Sequence, residues 1–331
     1  MKHTPNRSFR RGTCLALAAI AGLTAAASVQ AGSWATGVYS NAYGTRTYKL
    51  WVPTGYVPGQ AIPMVVALHG CQHGPDDFAG LTRFNTLADT QKFFVLYPAQ
   101  PITANAARCW NYFDAAHQSR NAGEPSLIAG IVMQVRAGYS VNAQKNYVLG
   151  ISAGGGMASV MGNCYPELFA GIGVMSGLMY KATINATQST TNGSLYDPRE
   201  RGYDGWVCGG FAAPRKMPTI VFQGSADTYV TPVNASQLVM QATQLDDFMD
   251  DALNNGSIGN TATSTTTGSA GGKSYTLKKY AYGGSEVVHF YLINGLKHTW
   301  SGGNPAYSLE PDTAGPDTTT IAWNYLKQFS L

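Results

Sequence analysis

The chain contains 331 residues, of which 44% are hydrophobic and 12% charged, with 22 Lys and Arg against 18 Asp and Glu. Four of the basic residues and none of the acidic ones lie in residues 1–31, so residues 32–331 carry equal numbers of basic and acidic side chains. This balance excludes the strongly basic composition typical of nucleic-acid binding, and the length suits a single α/β domain.

The first 31 residues have the pattern of a secretory signal peptide. Basic residues precede an uncharged apolar run over residues 15–23, and Val29-Gln30-Ala31 forms a small-residue cleavage site. The apolar run is too short to span a membrane as a helix. We therefore expect cleavage near Ala31 and a secreted protein, extracellular or periplasmic, that does not associate with a membrane.

Beyond this segment, short apolar runs alternate with longer helical patterns. The predicted strands cover Arg46–Val52, Met64–His69, Phe93–Tyr97, Asn146–Gly150, Gly171–Met175, Thr219–Gln223 and Val287–Ile293. The predicted helices cover Asp76–Thr90, Pro125–Tyr139, Ala153–Asn163, Val233–Asp251 and Asp317–Phe329. This alternation predicts an α/β fold with a mostly parallel sheet and helices on both faces. Ligands of such sheets bind beyond the carboxyl ends of the strands, so we expect the chemistry just after strands.

One segment of low complexity, residues 254–273, is predicted to be a flexible exposed loop inside a single catalytic domain that covers residues 32–331. A linker to another module is the alternative interpretation. The roughly 60 residues beyond it are too few for an independent enzyme core, which favours the loop.

Four cysteines follow the signal peptide: Cys71, Cys109, Cys164 and Cys208. An even number in an exported protein indicates two disulfides, for which three pairings are possible. A metal site is less favoured, because none of these cysteines belongs to a C-x-x-C pair.

Residues 150–156 read Gly-Ile-Ser-Ala-Gly-Gly-Gly, between a predicted strand and a predicted helix. This is the G-x-S-x-G nucleophile elbow in its strand–turn–helix context, which presents Ser152 at a helix N-terminus. No Lys-Ser or Lys-Thr pair follows the glycines, so a phosphate-binding loop is disfavoured. A glycine-rich turn with an incidental serine stays open unless a base and an acid follow in the right order.

A serine nucleophile needs an adjacent base, and the histidines that follow Ser152 are His289 and His298. His289 lies inside a predicted strand, where a structural role is expected. His298 lies in the loop sequence "NGLKHTWSGG". Because catalytic side chains occur on loops held by a rigid scaffold, we predict that His298 is the base.

The acid that orients the base is expected between the serine and the histidine. Asp227, in "QGSADTYVTP", closely follows a predicted strand and precedes a helix, which favours it for this role. Asp204 is the reserve candidate, in an irregular stretch that also contains Asp197. Four further acids lie on a predicted helix and are interpreted as solvated charges: Asp246, Asp247, Asp250 and Asp251.

An oxyanion hole needs a second backbone N–H beside that of Ala153. The strand that ends at His69 runs into Gly70-Cys71-Gln72-His73, and His-Gly loops of this kind supply such a donor. A zinc site built on His69, Cys71 and His73 is the alternative. It lacks further spaced ligands and needs a free thiol in an oxidising compartment, so we expect no metal.

The ordered set "LHGCQ", "CWNYF", "GEPSLIAGI", "GISAGGGMA", "QGSADTYVTP" and "LKHTWSGG" resembles the secreted poly(3-hydroxybutyrate) depolymerase and feruloyl/acetylxylan esterase group of α/β-hydrolases, over about residues 40–329. The resemblance implies a triad of Ser152, Asp227 and His298, and an oxyanion hole formed by the backbone amides of Cys71 and Ala153. It also implies a disulfide between Cys71 and Cys109 beside the site, which leaves Cys164 to pair with Cys208.

Many polymer-degrading members of this group continue through a linker into a polymer-binding module. This chain ends at Leu331, soon after its last predicted helix, so we expect no separate polymer-binding domain. This departure disfavours activity on highly crystalline polymer and leaves amorphous polyester, oligomers, small esters and plant-wall esters open as substrates.

Several aromatic residues lie near the predicted active-site loops. As a hypothesis, some of them form an apolar wall for a short acyl or hydroxyacyl unit, with Trp300 favoured because it is near His298 in sequence. Ordinary core packing is the alternative for each of them. The candidates are Trp110, Tyr112, Trp206, Tyr229 and Trp300.

The predicted function is hydrolysis of polyester or oligoester bonds, above all those of poly(3-hydroxybutyrate) or its oligomers, through an acyl-enzyme on Ser152. A feruloyl or acetylxylan esterase and an acyltransferase of the same fold are the alternatives. A binding protein that has lost its triad is disfavoured by the complete Ser, Asp and His set. No cofactor and no nucleic-acid partner are expected, and the protein is expected to be a monomer.

Overall fold

The computed structural model describes residues 1–2, 31–183, 190–211 and 215–331 of the chain. Nearly all of the predicted signal peptide, including its apolar run, lies outside these residues. Within the described ranges, no helix combines the length and the apolar character that crossing a membrane requires.

Strands run through the whole domain and belong to one sheet. Their bounds are β1 (Ser33–Asn41), β2 (Gly44–Val52), β3 (Ile62–Leu68), β4 (Phe94–Pro98), β5 (Val141–Ile151), β6 (Gly171–Met175), β7 (Thr219–Gly224), β8 (Ser264–Ala270), β9 (Lys273–Tyr282) and β10 (Ser285–Ile293). In the described part of the chain, the sheet has the order β1-β2-β4-β3-β5-β6-β7-β10-β9-β8. The stretch from β4 to β10 in this order is parallel, and both ends are antiparallel.

Helices cover both faces of this sheet. Their bounds are α1 (Pro75–Thr82), α2 (Phe84–Gln91), α3 (Gly123–Gly138), α4 (Ala153–Cys164), α5 (Pro198–Cys208), α6 (Pro232–Asp251) and α7 (Thr318–Leu326). Apolar side chains of α3, α4 and α6 form a core on one face, and those of α1, α2 and α7 form a core on the other. The predicted α/β class, with a mostly parallel sheet between helices, is confirmed.

Strand β3 shows how the two cores are built from the sequence. Val66 and Leu68 belong to one core, whereas Val65 and Ala67 belong to the other, because successive side chains of a strand point to opposite faces. All four are buried. A strand buried on both faces appears as a continuous apolar run, which is why the central strands were recognisable in the sequence.

The helix predicted over residues 76–90 is divided into α1 and α2. Arg83, between them, has a φ of 57°, in the left-handed region, and its N–H donates to the carbonyl of Ala79. This left-handed residue ends α1 and changes the direction of the chain before α2 begins.

The sequence did not predict β1, α5, β8 or β9. Residues 264–270, which lie in the segment predicted as a flexible loop, form β8 and pair with β9 at the edge of the sheet. They are largely exposed, as expected, but they are extended and hydrogen-bonded. Ser, Thr and Gly residues show no apolar alternation, so this strand had no periodic signal in the sequence.

The acids near the end of α6 are not all solvated, contrary to the prediction. Asp246 and Asp247 are buried. Asp246 accepts a hydrogen bond from the Met217 amide, and Asp247 accepts one from the Ser257 hydroxyl at 2.9 Å. Burial raises the pKa of Asp246 well above its usual range. These carboxylates therefore hold the segments on either side of α6.

Candidate active site

Ser152 occupies a sharp turn between β5 and α4. Its φ is 57° and its ψ is −124°, a strained backbone conformation for a residue with a side chain. A Cβ atom at Gly154 would overlap the carbonyl oxygens of Leu68 and His69, and one at Gly150 would overlap the backbone of Gly154. The glycines on both sides of Ser152 are thus needed for the close packing of α4 against β3 and β5.

The turn is held by backbone hydrogen bonds. The Ser152 N–H donates to the carbonyl of Met175 at 3.0 Å, and the Ser152 carbonyl accepts from the Gly156 N–H at 3.0 Å. Ala153 is the first residue of α4. Amides in the first turn of a helix have no acceptor within the helix, and the helix dipole adds partial positive charge there. Negative charge that develops beside Ser152 is favoured at this position.

His298 and Asp227 come together from loops that follow β10 and β7. The His298 Nδ1 atom lies 2.8 Å from Asp227 Oδ2, and the Asp227 side chain is fully buried. The other carboxylate oxygen accepts hydrogen bonds from the amides of Tyr229 at 3.0 Å and Val230 at 2.9 Å. A carboxylate on Nδ1 holds the proton there, so Nε2 is left as the basic nitrogen of a neutral imidazole.

Gln223 supports this acid, and sequence reasoning missed it. Its Nε2 atom donates to the Val230 carbonyl at 2.8 Å and approaches Asp227 Oδ2 at 3.3 Å. Gln223 is completely buried within β7. A glutamine inside the apolar run "TIVFQG" is the signal that could have revealed it, because a buried amide needs partners of its own.

A cleft of about 470 Å³ opens at the carboxyl edge of the sheet, and Ser152, His298 and Cys71 all line it. Tyr229, Leu81 and Leu309 add apolar surface to this cleft. The structure therefore brings the predicted serine, base and acid to one place, with Asp227 behind His298.

The loop that carries Cys71 begins with a neutral histidine. Burial lowers the pKa of His69 to about 4. One ring nitrogen, Nδ1, lies 2.8 Å from the Gly70 carbonyl, and the other, Nε2, accepts from the Gln100 amide at 3.1 Å. Since both nitrogens bind the backbone and Cys71 is bonded to Cys109, the zinc alternative loses two of its three ligands.

His73 lies at the far end of the same loop and lines the cleft. Its Nδ1 atom is buried without a hydrogen-bond partner among the described residues. Burial is the main cause that lowers the pKa of His73; Asp77 opposes this shift and the nearby His298 adds to it, and the lowered pKa leaves His73 neutral near pH 7. The sequence suggested His73 only as a zinc ligand, although its place in "HGCQH" also put it beside the oxyanion loop.

The disulfides join Cys71 to Cys109 and Cys164 to Cys208. This is the pairing that the family resemblance implied. The first bond closes the loop beside the cleft, and the second joins the end of α4 to the end of α5.

Three of the five aromatic candidates, Trp300, Trp110 and Tyr112, are buried core residues and do not line the cleft. Trp300 is 2% exposed, packs edge-on against Phe78 and Phe84, and donates its indole N–H to Thr319. Trp110 is fully buried beside His69. Proximity to His298 in sequence did not bring Trp300 into the cleft, since large rings stabilise the fold most when buried.

The other two aromatic candidates differ from each other. The half-buried ring of Trp206 stacks on Phe248 with ring centroids 5.3 Å apart and is not part of the cleft wall. Tyr229 is 64% exposed, lines the cleft, and has its ring centroid 5.5 Å from that of His298. Tyr229 is thus the aromatic candidate that can touch a ligand.

The reserve candidates are engaged elsewhere. His289 Nε2 lies 2.8 Å from Glu286, and its ring packs on Tyr325. Asp204 forms ion pairs with Arg201 and Lys181. Neither residue lines the cleft.

The chain is similar to known esterases. Residues 46–265 match the family model described as Esterase PHB depolymerase. Poly(3-hydroxyalkanoate) depolymerase C of Paucimonas lemoignei is 31% identical over 250 residues, which cover 75% of this chain and 56% of that protein. Feruloyl esterase B of Neurospora crassa is 31% identical over 242 residues, which cover 69% of this chain and 77% of that protein.

Among solved structures, the acetyl xylan esterase from Aspergillus awamori superimposes with a TM-score of 0.65. The match covers 80% of this chain and 94% of that one at 21% identity, and it supports the fold alone. The chain spans little more than half the length of the Paucimonas lemoignei depolymerase, so the activity of that whole protein does not transfer directly.

Proposed function

The chain belongs to the Esterase PHB depolymerase family, and we propose that it is a secreted serine esterase that hydrolyses polyester or oligoester bonds. Poly(3-hydroxybutyrate) and its oligomers are the proposed substrates. The hydrogen bond between Asp227 and His298, beside a strained Ser152 on the same cleft, is the observation that carries the proposal.

In the proposed mechanism, His298 Nε2 takes the proton of Ser152 as its oxygen attacks the ester carbonyl. The tetrahedral oxyanion is stabilised by the amides of Ala153 and Cys71. The alcohol then leaves with the proton from His298. Water, activated by the same base, attacks the acyl-enzyme and releases the acid. Asp227 holds the imidazole in its tautomer and stabilises the imidazolium in both steps.

The cleft suits a short, uncharged acyl or hydroxyacyl unit. Apolar contacts are available from Leu81, Val230 and Leu309, and the ring of Tyr229 borders His298. Thr190, a partly exposed polar residue of the cleft wall, can bind ester oxygens. The equal numbers of basic and acidic side chains in residues 32–331 fit neutral esters better than charged substrates.

Export of the protein is part of the proposal. The pattern of residues 1–31 predicts a signal peptide. The two cysteine pairs joined as disulfides fit an oxidising compartment, where such bonds persist.

A second candidate is an esterase that acts on plant cell-wall esters. It is favoured by the similarity to a feruloyl esterase, of which the chain covers 77%. The proposed triad would perform the same chemistry on either substrate, so the choice depends on the part of the cleft that binds the acyl group.

The deciding experiment compares three substrates with one enzyme preparation. We expect residues 32–331 to clear a suspension of amorphous poly(3-hydroxybutyrate), with little release of ferulate or acetate from xylan. The opposite pattern would support the second candidate. Hydrolysis of p-nitrophenyl butyrate at an undiminished rate by Ser152→Ala would overturn the proposal as a whole.

A further inference from the structure

A buried carboxylate lies at the start of α3, close to the cleft but outside the proposed triad. Glu124 is fully buried and accepts hydrogen bonds from the backbone and the side-chain amide of Asn111, both at 2.7 Å. It also accepts from Arg46 at 3.2 Å and from the side chain of Gln100. We name Arg46, Gln100, Asn111 and Glu124 the Glu124 cluster.

Gln100 connects this cluster to the loop that carries Cys71. Its Nε2 atom donates to the carbonyl of Cys109 at 2.9 Å, and Cys109 is the disulfide partner of Cys71. Its backbone N–H donates to His69 Nε2 at 3.1 Å. Its Oε1 atom accepts from Arg46 Nε at 2.9 Å, which fixes the orientation of the amide.

The loop is thus held from both sides of Cys71. On one side, Gln100 binds His69, whose other ring nitrogen lies against the Gly70 carbonyl in the peptide that contains the Cys71 N–H. On the other side, the disulfide ties Cys71 to Cys109, whose carbonyl is held by Gln100.

We propose that Gln100 and Glu124 are positioning residues that set the direction of the Cys71 N–H toward the tetrahedral oxyanion. This inference rests on the proposed function, since it concerns the same site. Neither residue touches the substrate, and both act through the Cys71 loop.

The buried ion pair in the cluster supports a role in positioning the Cys71 loop more than a role in stabilising the fold. A buried ion pair such as Arg46–Glu124 gains little net stability, because the cost of removing both charges from water offsets their attraction. An oxyanion donor, in contrast, loses most of its effect when it is displaced from the position where charge develops. The rigidity that the cluster gives to the loop therefore matters most in the transition state.

The test compares two buried glutamines that undergo the same substitution. Gln100→Met removes the side-chain bonds to Arg46, Glu124 and Cys109 but keeps the backbone bond to His69. Gln241→Met is the matched control, because buried Gln241 binds the backbone N–H and carbonyl of Tyr180, each at 2.8 Å, and does not line the cleft. Both variants lose buried hydrogen bonds of comparable number.

For p-nitrophenyl butyrate we expect Gln100→Met to lower kcat by about 10- to 100-fold with KM changed by less than about twofold. Gln241→Met should retain the wild-type kcat at a similar loss of thermal stability. Butylboronic acid, which forms a tetrahedral adduct with a catalytic serine, should bind Gln100→Met more weakly by the same factor as the loss of kcat.

A kcat that falls equally in both variants, or boronic acid affinity that stays at the wild-type value in Gln100→Met, would overturn the inference. Glu124→Gln, which keeps the shape of the side chain, serves as the second variant and should show the same pattern. If both cluster variants fail to fold while Gln241→Met folds, the cluster stabilises the fold and the inference is wrong.

The failure of the proposed function has a different signature. Wild-type protein that does not hydrolyse the ester, or a Ser152→Ala variant that does, would remove the site itself and this inference with it. Wild-type activity that depends on Ser152, together with an unaffected Gln100→Met, would remove this inference alone.

Discussion

The two disulfides close loops of similar size in very different surroundings. Cys71 and Cys109 are 38 residues apart in sequence, and Cys164 and Cys208 are 44 apart. The first bond borders the cleft and the buried polar Glu124 cluster. The second lies at the far end of α4, and the 12 residues of that helix separate it from Ser152 by about 18 Å.

The second disulfide is surrounded by contacts that stabilise the fold and lie away from the cleft. The carbonyl of Cys164 accepts a hydrogen bond from Arg120 at 2.8 Å, and the guanidinium of Arg120 lies over the ring of Tyr165. Helices α5 and α6 pack together beyond it. Similar covalent links can therefore have similar effects on stability and different effects on activity, depending on what the linked loop presents to the cleft.

The largest effect is expected on the cleft side, from the acid that orients His298. Asp227→Asn should lower kcat for p-nitrophenyl butyrate by about 10⁴-fold, because the amide no longer selects the productive imidazole tautomer. Asp204→Asn is the matched control and should leave kcat unchanged, since Asp204 pairs with Arg201 away from the cleft. A small loss in Asp227→Asn, or an equal loss in both, would contradict the proposed triad.

The first disulfide should affect both activity and stability. The double variant Cys71→Ala/Cys109→Ala frees the loop that carries the proposed oxyanion amide, so we expect kcat to fall by about 100-fold. The unfolding free energy should fall by about 4 kcal/mol from the entropy of the opened loop. Steady-state kinetics and urea unfolding of the same preparation measure the two effects.

The second disulfide should affect stability alone. Cys164→Ala/Cys208→Ala opens a loop of nearly equal length, so its unfolding free energy should also fall by about 4 kcal/mol. Its kcat should remain within about twofold of the wild-type value at a temperature where the protein is folded. If both double variants lose activity to the same extent, the comparison between the two regions fails.

The sequence predicted the two regions to different extents. Ser152, Asp227 and His298 were predicted together because each follows a strand (β5, β7 and β10) in a short motif of its own, and their order along the chain has a chemical reason. The sequence alone could not show that Tyr229 lines the cleft whereas Trp300 is buried in the core. Whether an aromatic ring turns toward a cleft or into a core depends on tertiary packing, and Trp300 fills the space between Phe78 and Phe84.

The parts of the fold that were missed also depend on tertiary contacts. Central strands are apolar on both faces and were identified, whereas β8 is a Ser- and Thr-rich edge strand that its pairing with β9 holds in place. The Glu124 cluster was missed because, unlike the triad, none of its members lies in a short motif with a chemical role, and they meet only through the fold. Long-range polar contacts of this kind have no local signature.

On the cleft side, a smaller effect is expected on KM, from the loss of an apolar contact with substrate. Tyr229→Ala should raise KM for hydroxybutyrate oligomers by about threefold to tenfold with kcat nearly unchanged, because the exposed ring contributes apolar contact beside His298. Trp300→Ala should instead destabilise the fold by about 3–5 kcal/mol, as expected for a buried aromatic residue. An unchanged KM in Tyr229→Ala would remove this residue from the substrate wall.

The smallest effect is expected on the structural side, at Asp246 of α6. Burial raises the pKa of this carboxyl above its ordinary value, although the Met217 amide and the nearby Arg215 and Lys216 partly oppose the shift. A carboxyl whose pKa is raised by folding stabilises the native state fully below its unfolded pKa. That contribution is lost as the pH rises through the folded pKa.

The side chain of Asp246→Asn cannot ionise. The melting temperature of this variant should therefore rise relative to that of the wild type as the pH is raised from about 5 to about 9. A few degrees are expected, with no change in kcat at any pH where both proteins are folded. A constant difference in melting temperature across this range would mean that folding does not raise the pKa of Asp246. A pH-dependent change in kcat would show that α6 communicates with the cleft, and the separation between the catalytic and structural regions would then be incorrect.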